Sequence, residues 1–196
     1  MELYLVRHGE TVWNAEGKLQ GTRDIPLNSK GRELAGLLGR RLENTHIDLI
    51  FSSPLIRAYE TACLIRGYRN IEIIRDDRLR EISFGVEEGS YFKSWDTQDS
   101  PYKYFFLTKE TAKYVPPEGG ETLQQVCNRT KEFVQSEIEP LWEKYQRVMV
   151  VAHGALNAAL TCYLENRGVE DFWGPGLFKN CEERIYEYDG KCWRGK

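Results

Sequence analysis

The chain has 196 residues, with 27 Lys and Arg against 30 Asp and Glu, a formal net charge of -3 and 41% hydrophobic residues. This composition is typical of a globular protein with one domain over residues 1–196, and it excludes the strong basic field that binding to nucleic acids or anionic membranes requires. Any anion that the protein binds must therefore be held by a local site.

Nothing in the chain predicts insertion into a membrane or export. The longest apolar run, residues 148–152, is far shorter than the roughly 20 residues that cross a bilayer, and Met1 leads into a strand-like segment instead of a signal peptide. We therefore expect a cytoplasmic protein. The five cysteines include no C-x-x-C pair, which predicts reduced, mostly buried thiols; they are Cys63, Cys127, Cys162, Cys181 and Cys192.

The first predicted element is a buried strand over residues 3–6, which ends abruptly at Arg7, His8 and Gly9. Gly9 permits a tight exit from the strand and a close approach of the backbone to an anion. A helix over about residues 30–43 follows, marked by leucines at helical spacing.

The second predicted strand covers residues 49–51 and leads into a helix over residues 55–66. Ser53 can cap this helix and Pro54 can occupy its first position, which puts Arg57 in the first turn. Taken alone, an arginine in this place is typical of a surface helix.

Two stretches follow in the middle of the chain. Residues 71–74 form a further candidate strand, and residues 91–117 hold eight aromatic residues without a clean period. The aromatic residues without a clean period in the second stretch are typical of a lid or insert and not of a second domain. Two interpretations stay open: a lid over the substrate, or an apolar patch that covers the sheet edge or joins two copies of the chain in a homodimer.

The last part of the chain continues the alternation of helices and strands. Residues 122–145 predict a long helix that bends or ends near Pro140, and residues 148–152 predict the strongest strand, followed at once by His153 and another helix. We predict a final edge strand over residues 183–188, which could pair with its neighbour in the antiparallel direction.

This alternation implies an α/β fold with a parallel or mostly parallel sheet and helices on both of its faces. Ligands of such sheets bind beyond the carboxyl ends of the strands, where Arg7, His8, Arg57 and His153 would gather. Two arginines and two histidines form a strongly donating pocket suited to a dianionic phosphoryl group. Taken alone, however, a histidine in the position of His153 is typical of a satisfied turn residue.

A neutral histidine in such a pocket can attack phosphorus and carry the phosphoryl group covalently, while fixed cations neutralise the charge in place of a metal. The alcohol that leaves needs a proton, so a carboxylic acid should lie nearby. Glu81 is the best-placed candidate, and Glu87 and Glu88 compete with it. His46 has no supporting pattern, and we expect an exposed loop residue there.

Five blocks in this order resemble the signature of the histidine phosphatase superfamily, the phosphoglycerate mutase-like enzymes. They are LVRHGET with Trp13-Asn14, SSPLIRA with Thr61-Ala62, LREI with Phe84-Gly85, Gly120-Glu121-Thr122, and VAHG at residues 151–154. The resemblance covers nearly the whole chain. It implies a three-layer α/β/α sandwich, a site at the carboxyl edge of the sheet, and catalysis without a metal or other cofactor.

The resemblance also assigns roles to residues. It implies that His8 is the phosphorylated nucleophile, that Arg7, Arg57 and His153 bind the phosphoryl oxygens, and that Glu81 is the proton donor. Further contacts to phosphate or substrate are implied at Asn14, Gln20, Gly21, Thr22 and Gly154, although Asn14 could instead cap the turn through Gly17.

The sequence departs from the family pattern in two places. Residues 86–89, VEEG, lack the aromatic residue that often precedes Glu-Gly, and the block Lys179-Asn180-Cys181 continues with Glu182-Glu183 instead of a small polar residue. The first departure concerns substrate contacts, and we transfer no role to the second block.

We therefore predict a phosphomonoesterase that acts on a small phosphorylated metabolite. A cofactor-dependent phosphoglycerate mutase is the alternative, but such mutases are typically longer and carry Gln-Ser where Glu10-Thr11 follows His8-Gly9 here. A non-catalytic phospho-ligand-binding module is less consistent with five retained site residues. Sugar phosphates, phosphoglycerates, nucleotides and α-ribazole phosphate all remain candidate substrates.

Overall fold

The computed structural model describes residues 1–106, 110–174 and 176–196. Its strands are β1 (Glu2–Arg7), β2 (Leu49–Ser52), β3 (Glu72–Arg75), β4 (Arg147–Ala152), β5 (Glu183–Tyr188) and β6 (Trp193–Gly195). They form one sheet in the order β3-β2-β4-β1-β5-β6. The first four strands in this order run parallel, whereas β5 and β6 are antiparallel to their neighbours. The mostly parallel sheet is confirmed.

The helices are α1 (Val12–Glu16), α2 (Ser29–Arg41), α3 (Ile56–Arg66), α4 (Phe92–Trp95), α5 (Leu123–Phe133) and α6 (Gly154–Leu164). Because side chains alternate across a strand, β1 sends Leu3 and Leu5 into one apolar layer and Tyr4 and Val6 into the other. Residues of α5 and α6 fill the first layer, and residues of α2 and α3 fill the second. The sheet therefore lies between two helical layers, which confirms the α/β/α prediction.

The predicted long helix after residue 122 is interrupted. Regular α-helix ends at Phe133, a π-helical turn covers Val134–Ile138, and a 3₁₀ turn covers Glu139–Leu141. Pro140 has no N–H to donate and its ring crowds the preceding turn, and the helical run ends at Leu141, which confirms the predicted end near Pro140. Among the described residues, no helix is both long enough and apolar enough to cross a membrane.

Two predictions about element ends are wrong. Strand β5 is antiparallel but is not an edge strand, because β6 pairs with it; three residues are too short to show a period in the sequence. Helix α3 starts at Ile56, so Pro54 lies outside it and Leu55 is the N-cap residue without a side-chain cap. The Ser53 hydroxyl accepts a hydrogen bond from the Leu55 N–H at 3.3 Å. The same hydroxyl also lies 2.8 Å from His153 Nε2.

All five cysteines are free thiols. Only Cys162 and Cys181 are buried, while Cys192 is exposed. The prediction of reduced thiols is therefore confirmed, and the expectation that most of them are buried is wrong.

The aromatic segment 91–117 packs against the carboxyl edge of the sheet; its residues 107–109 lie outside the described residues. Trp95 is 1% exposed and packs edge-to-face against Phe84 and Phe105. The Trp173 indole N–H donates to the Phe105 carbonyl, which joins the segment to the loop after α6. This packing fits a segment that covers the sheet edge, while the lid over the substrate and the homodimer contact both stay predictions.

Candidate active site

Two neighbouring parallel strands bring the two predicted site histidines together. Arg7 of β1 is in register with Ala152 of β4, so the residues that follow, His8 and His153, emerge side by side. Their ring centroids lie 5.1 Å apart. Both side chains are buried, at 2% and 0% exposure.

The ring orientation of His8 follows from a local hydrogen bond. Its Nδ1 atom lies 2.6 Å from the Gly9 carbonyl oxygen, which can only accept, so Nδ1 carries the proton. Burial, reinforced by the positive charges of Arg57 and Arg7, lowers the pKa of His8 well below its usual range. The imidazole is therefore neutral at pH 7, and Nε2 keeps its lone pair.

Glycine is required at position 9 for a reason other than the predicted close approach of the backbone to an anion. Its N–H donates to the Thr61 hydroxyl at 3.0 Å, so this N–H is not free for a ligand. A Cβ atom at position 9 would lie 2.6 Å from the Gly31 carbonyl oxygen. Glycine is needed because β1 exits directly against the start of α2.

Arg57 lies in the first turn of α3, as predicted, and is fully buried. Its two terminal nitrogens donate to the carbonyls of Arg23 at 2.7 Å and Gly21 at 2.8 Å, while Nε has no partner among the described residues. Burial lowers the pKa of Arg57 to about 10, against the opposing pull of Glu81 and Asp24. The guanidinium therefore stays charged at neutral pH.

Arg7 supplies a second cation at the end of β1. It donates from Nη1 to the Phe178 carbonyl at 2.5 Å, and its buried Nε has no partner among the described residues. Gly154, the first residue of α6, lies against this guanidinium: a Cβ atom there would lie 3.7 Å from Arg7 Cζ and 2.9 Å from Leu177 Cδ1. Both cations and the positive end of α6 thus border the same space.

His153 is the N-cap residue of α6. Its Nε2 atom lies 2.8 Å from the Ser53 hydroxyl oxygen, and its buried Nδ1 has no partner among the described residues. Burial, with a contribution from the charge of Arg57, lowers the pKa of His153 well below its usual range. This histidine is therefore also neutral at pH 7.

Glu81 reaches the first turn of α6. Its carboxyl oxygens accept hydrogen bonds from the backbone N–H groups of Ala155 at 3.3 Å, Leu156 at 3.0 Å and Ile82 at 3.0 Å. These contacts place it one helical turn from His153 and on the cavity wall. Of the three competing glutamates, it is the one that lines the cavity with Arg7, His8 and Arg57.

The two competitors serve other contacts. The Glu88 side chain is 5% exposed, accepts from the Thr22 N–H and hydroxyl, and pairs with Arg23 at 3.3 Å. The Glu87 carboxylate lies 3.5 Å from the Trp95 indole nitrogen. Neither is among the described residues that line the cavity.

Some of the remaining predicted contact residues line the cavity and others do not. Asn14, Gln20, Gly21 and Gly154 line the cavity, and Asn14 also completes the capping box of α1 with Thr11, so both of its interpretations fit the structure. Thr22 is not among the described lining residues, because its hydroxyl is bound to Glu88. His46 is exposed and bonded to Asp48, as expected of a loop residue.

Sequence reasoning missed several cavity residues, and one of them, Asn180, contacts the backbone of His8. Asn180 lines the cavity and donates from Nδ2 to the His8 carbonyl at 3.0 Å. The block around it carried a signal, but we transferred no role because Glu182 and Glu183 follow where the family has a small polar residue.

The cavity enclosed by these residues has a volume of about 450 Å³. Arg7, His8, Arg57 and Glu81 form one group of lining residues, the phosphoryl end of the cavity, and the other described lining residues include five aromatic side chains. Two guanidinium groups and a helix N-terminus can bind a dianionic phosphoryl group, with a neutral imidazole nitrogen beside it. This arrangement is able to hold, accept and release phosphate.

Comparison with known proteins agrees with this chemistry. The family described as "Histidine phosphatase superfamily (branch 1)" matches residues 3–196. Phosphoserine phosphatase 1 of Hydrogenobacter thermophilus is 36% identical over 186 residues, which are 95% of this chain and 84% of the relative. The probable phosphoglycerate mutase GpmB of Salmonella choleraesuis is 31% identical over 195 residues, 98% and 87% of the two chains.

A solved structure is also similar over nearly its full length. Bacillus stearothermophilus YhfR superposes with a TM-score of 0.88 at 36% identity, covering 99% of this chain and 94% of that chain.

Proposed function

The chain belongs to branch 1 of the histidine phosphatase superfamily and is a phosphatase, and we propose that it hydrolyses the phosphomonoester of a small metabolite through a phosphohistidine at His8. The observation that carries this proposal is the hydrogen bond from His8 Nδ1–H to the Gly9 carbonyl. It fixes the tautomer whose Nε2 lone pair is available for attack on phosphorus, beside the charged groups of Arg7 and Arg57.

In the first step, His8 Nε2 forms a bond to phosphorus while the bond between phosphorus and the ester oxygen breaks. The leaving oxygen takes the electron pair and receives a proton from the carboxyl group of Glu81. Arg7, Arg57 and His153 donate hydrogen bonds to the phosphoryl oxygens, whose charge the transition state spreads. The product alcohol then leaves.

In the second step, water attacks the phosphorus of the phosphohistidine. The Glu81 carboxylate, now deprotonated, accepts the proton of that water, since the group that gave a proton in one direction takes one in the next. The bond from phosphorus to Nε2 breaks and its electron pair returns to the imidazole. Phosphate leaves, and Glu81 and His8 regain their starting protonation states.

The proposed mechanism uses no metal, because fixed cations supply the charge that a metal would otherwise provide. Arg7 and Arg57 each have a buried Nε–H without a partner among the described residues, and the proposal assigns phosphoryl oxygens as the acceptors of these two groups. Activity should persist in a chelator. Loss of activity that magnesium or zinc restores would contradict this part of the proposal.

Trapping of the phosphoenzyme tests the function. Brief incubation with a ³²P-labelled phosphomonoester, followed by a denaturing quench, should leave base-stable, acid-labile label on the wild-type protein and none on His8→Ala. Release of inorganic phosphate should vanish in the same variant. A protein that binds phosphate esters without label or turnover would instead be a non-catalytic binding module.

A further inference from the structure

The cavity has two chemically different parts. Besides the residues of its phosphoryl end and several polar ones, the described lining includes a group of apolar side chains, namely Leu19, Phe84, Phe92, Phe105, Phe106, Trp173 and Leu177. The volume of about 450 Å³ exceeds what a phosphoryl group fills and lies within the range of pockets for drug-sized ligands, about 300–1,000 Å³. The organic group of the substrate must occupy this second part.

The apolar wall is a built feature. Trp173 and Phe106 have nearly parallel rings, at 12° with centroids 6.5 Å apart, and Phe105 packs edge-to-face against Trp173. Two further apolar side chains remain open on different elements, Phe92 of α4 at 39% exposure and Leu177 at 50%. A flat apolar group in the cavity would cover them and meet rings already held in place.

The charges of this outer part disfavour a second anion. It holds two charged residues among the described lining, Lys18 and Asp96. The Lys18 ammonium pairs with Glu16 at 2.8 Å and lies 5.5 Å from the centre of the Tyr91 ring, so its charge is already engaged. No ion pair joins Asp96 to another described residue, which leaves its negative charge at the cavity wall.

We propose that the substrate is a phosphomonoester whose organic group is aromatic and carries no second negative charge. A carboxylate or a second phosphate in the outer part would face aromatic rings and the carboxylate of Asp96, with no free cation among the described lining residues. An anion removed from water without a partner loses much of its solvation energy. This inference rests on the proposed function, because it concerns the leaving group of the same reaction.

Three synthetic esters separate these features. Benzyl phosphate and 4-carboxybenzyl phosphate differ in one remote carboxylate, and methyl phosphate releases an alcohol of similar acidity without a ring. We expect kcat/KM for benzyl phosphate to exceed that of each of the others by at least about tenfold, which is a difference of about 1.4 kcal/mol. Equal or reversed values for either comparison overturn the proposal.

Charge reversal at the wall provides a matched test. Asp96→Lys should raise kcat/KM for 4-carboxybenzyl phosphate and bring the ratio of benzyl to 4-carboxybenzyl phosphate below about threefold. Both esters carry the same phosphoryl group, so the ratio isolates the effect of the new charge on the carboxylate. Asp99→Lys is the control: Asp99 is exposed and is not among the described lining residues. A control that lowers the ratio as much as Asp96→Lys contradicts the role of Asp96.

Binding of non-hydrolysable analogues separates this inference from the proposed function. Benzylphosphonate should bind at least about tenfold more tightly than 4-carboxybenzylphosphonate in calorimetry, whether or not the protein turns over any ester. Equal affinities would overturn the inference while phosphate release still supports the phosphatase. A clear preference for benzylphosphonate without any phosphate release would instead contradict the proposed function alone.

Discussion

The Ser53 hydroxyl oxygen lies 2.8 Å from Nε2 of His153 and 3.3 Å from the backbone nitrogen of Leu55. Because the Leu55 N–H can only donate, the hydroxyl oxygen accepts there and its own proton can be donated to His153. We infer that the imidazole accepts at Nε2 and carries its proton on Nδ1, the buried nitrogen without a partner among the described residues. Ser53 thus positions His153 as a neutral donor.

Ser53→Ala should lower kcat about tenfold, the effect of a lost hydrogen bond of about 1.4 kcal/mol, because His153 loses the contact that fixes its tautomer. Ser53→Thr keeps the hydroxyl and should recover most of the activity. The ¹⁵N shifts of the His153 ring should report mixed tautomers in the alanine variant only. An alanine variant with wild-type kcat and an unchanged tautomer would contradict this role.

The stability of the protein should fall as the pH drops below about 6.5, the reference pKa of histidine. The pKa of His8 and of His153 is lowered well below that value in the folded state, so the unfolded chain binds more protons in this window. Their contribution to stability is present above pH 6.5 and is lost on acidification. Each histidine should contribute about 1.4 kcal/mol per pH unit to this loss.

Urea unfolding at several pH values between 5 and 7.5 measures this slope. His8→Gln and His153→Gln should each reduce it. A slope that none of these variants alters would show that the buried histidines are not responsible.

The sequence was sufficient to predict the parts of the site that depend on strand exits. Arg7, His8 and His153 follow buried runs, and parallel strands necessarily end at the same edge of a sheet, so their meeting could be expected. The contacts that loops make could not be predicted from the sequence. Asn180 meets His8 across 172 positions of sequence, and Thr22 meets Glu88 across 66. No local pattern encodes such pairings, because they depend on where distant loops cross.

The difference between local patterns and distant contacts also explains why two predictions about the fold were wrong. The start of α3 could not be predicted from Ser53 and Pro54, since the Ser53 hydroxyl is shared with His153, which lies 100 positions later. Strand β6 exists because it pairs with β5, and its three residues have no periodicity of their own. A local cap or repeat predicts an element only where no tertiary contact competes for it.

Glu81→Gln should slow the hydrolysis of alkyl phosphates by about 100-fold or more, the usual contribution of a general acid. The amide can still accept a hydrogen bond from the Leu156 N–H at the start of α6, but it cannot give a proton to the leaving oxygen. p-Nitrophenyl phosphate barely needs that proton, so its cleavage should change little. Comparison of kcat/KM for benzyl and p-nitrophenyl phosphate measures the difference.

Glu88→Gln is the matched control for this prediction. Glu88 holds Thr22 and pairs with Arg23, so its loss should disturb the loop that orients Arg57 and should affect both substrates alike. If Glu88→Gln instead selectively slows the alkyl ester, or if Glu81→Gln slows both esters equally, the assignment of the acid is wrong.

Water, and not a second hydroxyl of the substrate, should accept the phosphoryl group from His8. A mutase has to retain a bisphosphorylated intermediate and turn it within the closed site, so its cavity must stabilise two phosphoryl groups at once. Here Arg7 and Arg57 serve one end, while the outer part holds aromatic rings, the engaged Lys18 and the unneutralised Asp96. A second phosphoryl group would lack a counterion there, and its desolvation would oppose binding.

We therefore expect that incubation with 3-phosphoglycerate and a trace of 2,3-bisphosphoglycerate gives 2-phosphoglycerate far more slowly than benzyl phosphate gives inorganic phosphate. Rapid isomerisation with negligible phosphate release from any ester would identify the protein as a mutase instead.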